Sequence, residues 1–388
     1  MTERKETSFS GYHKKSASER REILTEEVGL SESETLLLEN GLEMDKADLM
    51  IENVIGKYEM PLAVATNFIV DGKRILVPMA TEEASIVAGA SKAAKMFSRY
   101  EGFLTEVGPS LMKGQIQIIP QELGLESIEM IINDSRNFLI DLGNSMVPNL
   151  VRRGGGVVGI EMTKISATRV GPMASIDIWV NTGEAMGANL VNQICERLSG
   201  EVGRLTKARV NIRILSNYSE QRITKAKCGI PVNGEDISED MANKIVEAQV
   251  FAENSVDRAV THNKGVLNGV DAVALATGQD WRAIEAGAHS YAARFGYKPL
   301  TNWFVDNEVL RGEIELPLAV GIFGGITEFH PQIAVSLKVL GVKSSGELSS
   351  IMASVGLAQN FAALHSLVNQ GIVHGHGPLH RRKKNTRQ

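Results

Sequence analysis

Apolar and polar residues change their spacing along the chain, and each change predicts a different element. Residues 16–57 combine polar stretches with short apolar groups, which predicts short helices with serine at their starts. Two apolar runs flank Asp71-Gly72 within residues 61–79, and this arrangement predicts a β-hairpin. The small-residue segment 83–98 then predicts a helix.

From residue 109 to residue 217, segments typical of strands alternate with segments typical of helices. This region is predicted to be a compact α/β module inserted into a larger domain. The chain after residue 218 is richer in helix. The Ala- and Gly-rich segment 281–294 is compatible with a central buried helix and equally with an ordinary core helix. Residues 315–342 combine strands with a Gly-rich turn, and helices are expected from there to about residue 373.

Composition narrows the class of protein. A chain of 388 residues with 43% apolar content can form two or three domains. The net charge of -5 gives no reason to expect a nucleic-acid partner. Cys195 and Cys228 have no metal-ligand spacing and fit a reducing compartment. We expect a cytoplasmic protein, because the first thirty residues lack a signal-peptide pattern and no apolar run of about 18 residues predicts a membrane span.

Polar residues collect in otherwise apolar surroundings at several positions. Glu82, Glu83 and Ser85 follow the apolar strand ILVPMA, where a helix N-terminus explains them and a proton-donating glutamate is the alternative. Residues 258–265 read as a loop dense in donors, whose lysine could face a carbonyl oxygen. Asp280 precedes a helical segment, so it is suited to an N-cap that would also keep its carboxylate ionised and fixed.

Glycine clusters mark two turns in the inserted module. Residues 181–189 contain a turn that opens a helix, and free amides at such a point can bind phosphate. The sequence is not GxGxxG, so the usual dinucleotide fingerprint is absent. Gly154-Gly155-Gly156 alone signals a turn. His374 and His376 flank a glycine near the end, which is weak evidence for a metal because no third ligand is nearby.

Taken together, these segments resemble the class II, short and soluble microbial, form of hydroxymethylglutaryl-coenzyme A reductase. Several of the matching segments are long and occur in the same order. They are ENVIG (52–56), PMATEEAS (78–85), GEAMGAN (183–189), RILSN (213–217), THNKGVLNG (261–269), ATGQDWRAIEAGAH (276–289), VGIFGG (320–325), GLAQN (356–360) and GH (375–376).

The resemblance implies an α+β fold, with a large helix-rich domain around a central helix and an inserted small ferredoxin-like cofactor domain. The implied division is residues 1–108 and 218–376 for the large domain and 109–217 for the cofactor domain. The basic tail, residues 377–388, stands where this family carries a C-terminal flap, and its composition predicts disorder. The resemblance also implies a homodimer, or a higher oligomer of dimers, with its active site between subunits.

Site residues follow from the matching motifs. The catalytic residues implied by the resemblance are Glu83, Lys264, Asp280 and His376. The implied substrate-binding residues are Ser85, Arg258, Asn268 and Gln359. The implied cofactor-binding residues are Glu184, Ala185, Met186, Gly187, Ala188 and Asn189. In this assignment Lys264 stabilises an oxyanion, Glu83 delivers protons, Asp280 holds Lys264 charged and in place, and His376 protonates the departing thiolate.

The implied activity is two-step, four-electron reduction of hydroxymethylglutaryl-CoA to mevalonate and CoA with two NADPH or NADH, or the reverse oxidation. NADH-specific members carry an aspartate where this chain has Gly159, and Arg152 and Arg153 precede the glycines. We therefore expect NADPH to be accepted. Two alternatives stay open: a family member that binds CoA ligands but turns over slowly without the flap, and a dehydrogenase for a different CoA thioester.

Overall fold

The computed structural model describes Phe9 and residues 11–369. Within them two large hydrophobic cores organise the chain, and a small third cluster includes Leu24 and Val335. The helices are α1 Ala17–Val28, α2 Glu32–Asn40, α3 Met44–Met50, α4 Ile86–Phe97, α5 Leu125–Asp134, α6 Arg136–Ser145, α7 Pro148–Val151, α8 Ala188–Thr206, α9 Glu239–Asn254, α10 Val256–Ala276, α11 Trp281–Ala292, α12 Ile326–Phe329, α13 Pro331–Leu340 and α14 Ser345–Asn369. The strands are β1 Leu62–Val70, β2 Lys73–Ala80, β3 Leu104–Val107, β4 Leu111–Ile119, β5 Gly156–Ile165, β6 Met173–Asn181, β7 Arg209–Ser216, β8 Ile223–Pro231, β9 Thr301–Asp306 and β10 Val309–Pro317.

The N-terminal helices begin at serine caps, as their sequences predict. Ser16 accepts a hydrogen bond from the Glu19 amide, and the Glu19 carboxylate accepts one from the Ser16 amide at 2.7 Å. Ser31 and Glu34 form the same reciprocal box at the start of α2. The prediction of helices as far as residue 57 is wrong at its end, because α3 stops at Met50 and the following residues are irregular.

The larger core surrounds α14. The hairpin β1–β2 and the four-stranded sheet β3-β8-β10-β9 enclose it together with α4, α9 and α10. Every residue from Leu348 to Phe361 is buried, so this helix is covered on all sides. α14 is also long and apolar enough to cross a membrane by length and composition, with a mean hydropathy of 1.3, but 67% of that stretch is buried in the protein. Its apolar character is therefore that of a core helix.

The Ala- and Gly-rich helix α11 lies at the edge of this core. It buries Ile284, Gly287 and Ala288 but leaves Arg282 and Ala286 exposed. Gly287 is packed against backbone, since a Cβ there would lie 3.0 Å from the carbonyl oxygen of Asn217. Of the two alternatives for this segment, the structure shows the ordinary core helix, and the central position belongs to α14.

The smaller core belongs to the second four-stranded sheet, which has the order β5-β6-β4-β7. Neighbouring strands are antiparallel, and the chain order β4, α5–α6, β5, β6, α8, β7 gives the ferredoxin-like arrangement. Alternate residues of β4 point into this core against α8, and Gly114 is where the contact is closest. A Cβ at Gly114 would lie 2.3 Å from Cys195 Sγ, so a larger residue would push α8 away.

Candidate active site

An ion pair joins two segments that are distant in sequence. Lys264 Nζ lies 3.1 Å from Glu83 Oε2, and the two side chains are 60% and 45% exposed. Glu83 sits in the turn between β2 and α4, and Ser85 closes that turn in the left-handed region with φ 78°. The turn therefore directs Glu83 toward α10, where Lys264 stands.

Lys264 lies in the middle of a helix. The expectation of a loop over residues 258–265 is wrong, because Ala259, His262 and Val266 recur at helical spacing on the buried face of α10. Polar residues lie between these buried positions, and they obscured the helical period in the sequence. A lysine on a packed helix has a better fixed backbone than a lysine in a loop, so its ammonium is positioned more precisely.

Three of the substrate-binding residues implied by the resemblance lie on α10 or pack against it: Arg258, Asn268 and Gln359. Asn268 follows Lys264 by one turn on the partly exposed face of α10. Gln359 lies on α14 and packs against α10 beside Asn268, because a Cβ placed on Gly269 would lie 3.0 Å from Gln359 Cβ. Gln359 is 7% exposed, and its Oε1 has no hydrogen-bond partner among the described residues. A buried, unpaired acceptor of this kind can accept a hydrogen bond from a hydroxyl group of a ligand.

Arg258 lies near the start of α10 and is partly buried. Burial lowers the pKa of its guanidinium, which still remains a cation at neutral pH. The structure thus brings Glu83, Lys264, Asn268 and Gln359 to one region, with Arg258 on the same helix.

Asp280 is not part of that group within one chain. It caps α11, and its Oδ1 accepts a hydrogen bond from the Ala283 amide at 3.1 Å, as the sequence predicts. The same Oδ1 lies 3.8 Å from Nη2 of Arg282. Among the described residues, Glu83 supplies the carboxylate that contacts Lys264. The role of Asp280 in holding Lys264 therefore stays a prediction, which a single chain does not test. His376 lies outside the described residues.

The turn that precedes α8 is fixed by a buried arginine. Arg222 is 4% exposed and donates hydrogen bonds to the carbonyl oxygens of Ala185 and Met186 and to that of Val320. Burial lowers the pKa of Arg222 to about 10, opposed by the charge of Glu184. Gly187 then adopts φ 101° and α8 begins at the next residue, so the first amides of the helix are left without helical acceptors.

A second glycine segment packs against this turn. A Cβ at Gly321 would lie 2.4 Å from the amide nitrogen of Met186, so only glycine allows the contact. The Gly321 amide donates to Gln279 Oε1 at 2.9 Å, and the Ile322 amide donates to the Glu184 carbonyl at 3.0 Å. No sequence pattern assigned a role to Arg222, Gln279 or Gly321. The TGQD and VGIFGG motifs contain the last two, whereas nothing around Arg222 signals its position.

Cationic residues lie close to the same turn. Asn149, Arg152 and Arg153 line a surface depression of about 350 Å³. Leu150, between them in sequence, contacts Gly155 and approaches Gly183. This end of the small sheet therefore offers helix amides and two arginines, which suit phosphate groups.

Comparison with known proteins supports the family resemblance that the sequence motifs indicated. The model of the hydroxymethylglutaryl-coenzyme A reductase family matches residues 16–381. A 3-hydroxy-3-methylglutaryl-coenzyme A reductase of Archaeoglobus fulgidus is 45% identical over 376 residues, covering 96% of this chain and 85% of the relative. A probable enzyme of the same name from Borreliella burgdorferi is 35% identical, covering 85% of this chain and 76% of the relative.

Solved structures agree with the fold. A 3-hydroxy-3-methylglutaryl-coenzyme A reductase of Streptococcus pneumoniae superposes with a TM-score of 0.89 at 38% identity, covering 94% of this chain and all of that one. A class II structure from the same organism, described as bound to NADPH in open conformations, gives 0.88 at 38% identity and covers 93% of this chain and 100% of that one.

The fold and site define an α+β protein in which a helix-rich core carries an inserted ferredoxin-like module, with a glycine-containing turn at the start of α8. This is the architecture expected from the sequence. The chain belongs to the hydroxymethylglutaryl-coenzyme A reductase family.

Proposed function

We propose that this protein reduces hydroxymethylglutaryl-CoA to mevalonate and CoA in two steps, using two NADPH or NADH. The observation that carries this proposal is the Glu83–Lys264 ion pair at 3.1 Å, beside Asn268 and the unpaired Oε1 of Gln359. It places a cation, a proton carrier and two amides around one region. These are the groups that reduction of a thioester carbonyl requires.

The residues divide the chemistry between them. The ammonium of Lys264 stabilises negative charge on the carbonyl oxygen, and Glu83 carries protons to that oxygen. Asn268, Gln359 and Arg258 bind the hydroxyl and carboxylate of the hydroxymethylglutaryl group. CoA thiolate leaves readily only after protonation, and His376 is the proposed acid because its ordinary pKa lies near neutrality.

NADPH or NADH supplies the hydride when bound, and the inserted module has residues that fit either cofactor. Residues 183–189 open α8 with free amides, and Arg222 fixes that turn from beneath. Arg152 and Arg153 supply positive charge for a 2′-phosphate, and Gly159 brings no carboxylate that would repel it. We therefore propose that NADPH is used at least as well as NADH.

We further propose that a homodimer, or an oligomer of dimers, completes the site. About 18 Å of helix separates Lys264 from the end of α10, and Asp280 lies in the turn beyond it. The partner subunit's Asp280 would supply the second carboxylate near Lys264. Large apolar side chains are available for such an interface: Tyr58 is 89% exposed, and Val256 and Val260, on the same stripe as Lys264, are 60% and 45% exposed.

The proposed division of the chain is 109–217 for the cofactor domain, with 1–108 and 218–376 forming the substrate domain. We propose a cytoplasmic location and no membrane or nucleic-acid partner. A spectrophotometric assay at 340 nm with hydroxymethylglutaryl-CoA, run with each nicotinamide, tests the activity. Absence of substrate-dependent oxidation of either cofactor by the folded protein would refute it.

A further inference from the structure

The carboxylate of Glu184 contacts the first turn of α14, the central helix of the larger core. Glu184 Oε2 accepts a hydrogen bond from the Ser345 amide at 2.5 Å, and Ser345 Oγ lies 3.4 Å from the carbonyl oxygen of Gly183. Ser345 is the first residue of α14 and is 4% exposed. An amide at this position has no acceptor within its own helix. Glu184 therefore supplies from the inserted module an acceptor that α14 needs.

Other polar groups at the start of α14 are paired within the larger core. Ser344 Oγ accepts a hydrogen bond from the Glu347 amide at 3.1 Å, and the Glu347 carboxylate accepts one from Lys73 Nζ at 2.8 Å. The Ser345 amide, in contrast, finds its acceptor 161 positions earlier in the chain. The partial positive charge at a helix N-terminus favours a carboxylate there. The contact is thus a specific link between the inserted module and α14.

The main chain around Glu184 is held by the larger core as well. The Ile322 amide donates to the Glu184 carbonyl oxygen at 3.0 Å, and Arg222 donates to the carbonyl oxygens of the next two residues. α14 also carries Gln359, about 21 Å further along its axis. One buried helix therefore connects the turn before α8 with a residue of the proposed substrate site.

We propose that Glu184 is a positioning residue, whose carboxylate ties the turn before α8 to α14 and does not itself bind the nucleotide. The resemblance groups Glu184 with the cofactor-binding residues, and the proposal rests on the proposed function because it assigns this turn to NADPH or NADH. The amides at the start of α8 bind the cofactor, and Glu184 sets where they stand relative to α14. A carboxylate free to face the cofactor would repel its phosphates, whereas the N-terminus of α14 offsets the charge of one bound there.

NADPH binding to variants of Glu184 tests the tie. Glu184 is exposed, so the variants should fold. Glu184→Ala should raise the Kd for NADPH, measured by the fluorescence of the bound cofactor, by about tenfold. Glu184→Gln keeps an oxygen that can accept from the Ser345 amide and should recover most of that loss. Glu196→Ala, the same change on the exposed side of α8, is the matched control.

The Kd for hydroxymethylglutaryl-CoA separates positioning from general damage. It should stay within about twofold of the wild-type value in Glu184→Ala, because a disturbed fold would weaken both ligands. An unchanged Kd for NADPH in Glu184→Ala, or equal loss of both ligands, would overturn the proposal.

Substitutions of Ser345 separate a tie to α14 from direct contact with the nucleotide. Ser345→Pro removes the amide at a helix position that tolerates proline, and Ser345→Ala retains it. Ser345→Pro should weaken NADPH binding as Glu184→Ala does, and Ser345→Ala should not. The double variant Glu184→Ala/Ser345→Pro should be no weaker than either single variant, because both remove one interaction. Losses that multiply would show that Glu184 acts on the nucleotide independently of Ser345.

Hydrogen–deuterium exchange measured without cofactor tests the tie apart from the reaction. Amides of residues 183–189 should exchange several-fold faster in Glu184→Ala and in Ser345→Pro than in the wild-type protein. Unchanged exchange in Glu184→Ala would refute the positioning role even if Ser345→Pro failed to fold. A wild-type protein that binds NADPH and shows these differences, but does not oxidise it with hydroxymethylglutaryl-CoA, refutes the proposed function instead.

Discussion

Lys264 Nζ lies 3.1 Å from Glu83 Oε2 although the two residues are 181 positions apart in the chain. The contact forms because the turn after β2 and the middle of α10 meet at the surface of the larger core. Both side chains remain about half exposed, so this ion pair by itself contributes little to folding. Its position beside Asn268 and Gln359 is better explained by function than by stability.

Removing the ammonium should therefore affect turnover more than folding. Lys264→Ala is expected to lower kcat by about 100-fold or more, because it removes the group that stabilises the oxyanion. Lys95→Ala, on the exposed side of α4, is the matched control and should be nearly unchanged. Near-normal kcat in a folded Lys264→Ala protein would show that Lys264 is only a surface residue of the helix and has no role in turnover.

The stoichiometry should follow from the oxidation states. Conversion of a thioester to an alcohol takes four electrons, so two nicotinamides should be oxidised for each mevalonate formed. Absorbance at 340 nm and quantified mevalonate give the ratio. A ratio near one, with mevaldehyde as the main product, would contradict the two-step reaction.

Cofactor preference should depend on charge near the glycine cluster. We expect kcat/KM for NADPH to be at least equal to that for NADH. Gly159→Asp should shift the preference toward NADH, because a carboxylate there would repel the 2′-phosphate. The substitution is sterically tolerable, since a Cβ at Gly159 would lie 3.6 Å from the Trp179 ring. A wild-type kcat/KM strongly favouring NADH would contradict this prediction.

His376 should matter in one half-reaction only. His376→Gln is expected to impair reduction of the thioester much more than reduction of added mevaldehyde, because only the first releases a thiolate that needs a proton. The two half-reactions can be measured separately with the same protein preparation. Equal losses in both would move the role to His374, His380 or solvent.

The buried imidazole of His262 should make the fold sensitive to acid. Its Nε2 lies 3.0 Å from Asn360 Nδ2, and the Asn360 amide is oriented by Trp303 Nε1, which donates to Oδ1 at 2.7 Å. Burial, with a smaller effect from Arg258, lowers the pKa of His262 to about 3. The unfolded chain takes up a proton below about pH 6.5 and the folded protein does not, so stability should fall as the pH drops from about 6.5 toward 3.

Melting temperatures measured across this range test that sign. His262→Gln should reduce the loss between pH 7 and pH 5, whereas His13→Gln at the exposed N-terminal segment should not. Some acid sensitivity should remain, because burial also lowers the pKa values of His330 and His365. An unchanged pH dependence in His262→Gln would show that its protonation does not limit stability.

Short sequence patterns correctly predicted the caps and turns that depend only on neighbouring residues. Ser16 and Ser31 begin their helices, Asp71-Gly72 turns a hairpin, and Asp280 caps α11. Each of these depends on hydrogen bonds or backbone angles within a few residues, so the necessary information lies in adjacent positions. The loop expected at residues 258–265 failed because polar side chains concealed a helical period that only burial against α14 makes clear.

The sequence by itself determined the residue types of this protein, its local caps and turns, and, through its ordered motifs, the family to which it belongs. Only the tertiary structure decided that α14 is the central helix, that Glu83 is the carboxylate contacting Lys264, and that Arg222 supports the turn before α8. The physical reason is that these contacts depend on how separate elements pack, and packing is settled by the shapes of whole buried surfaces rather than by neighbouring residues.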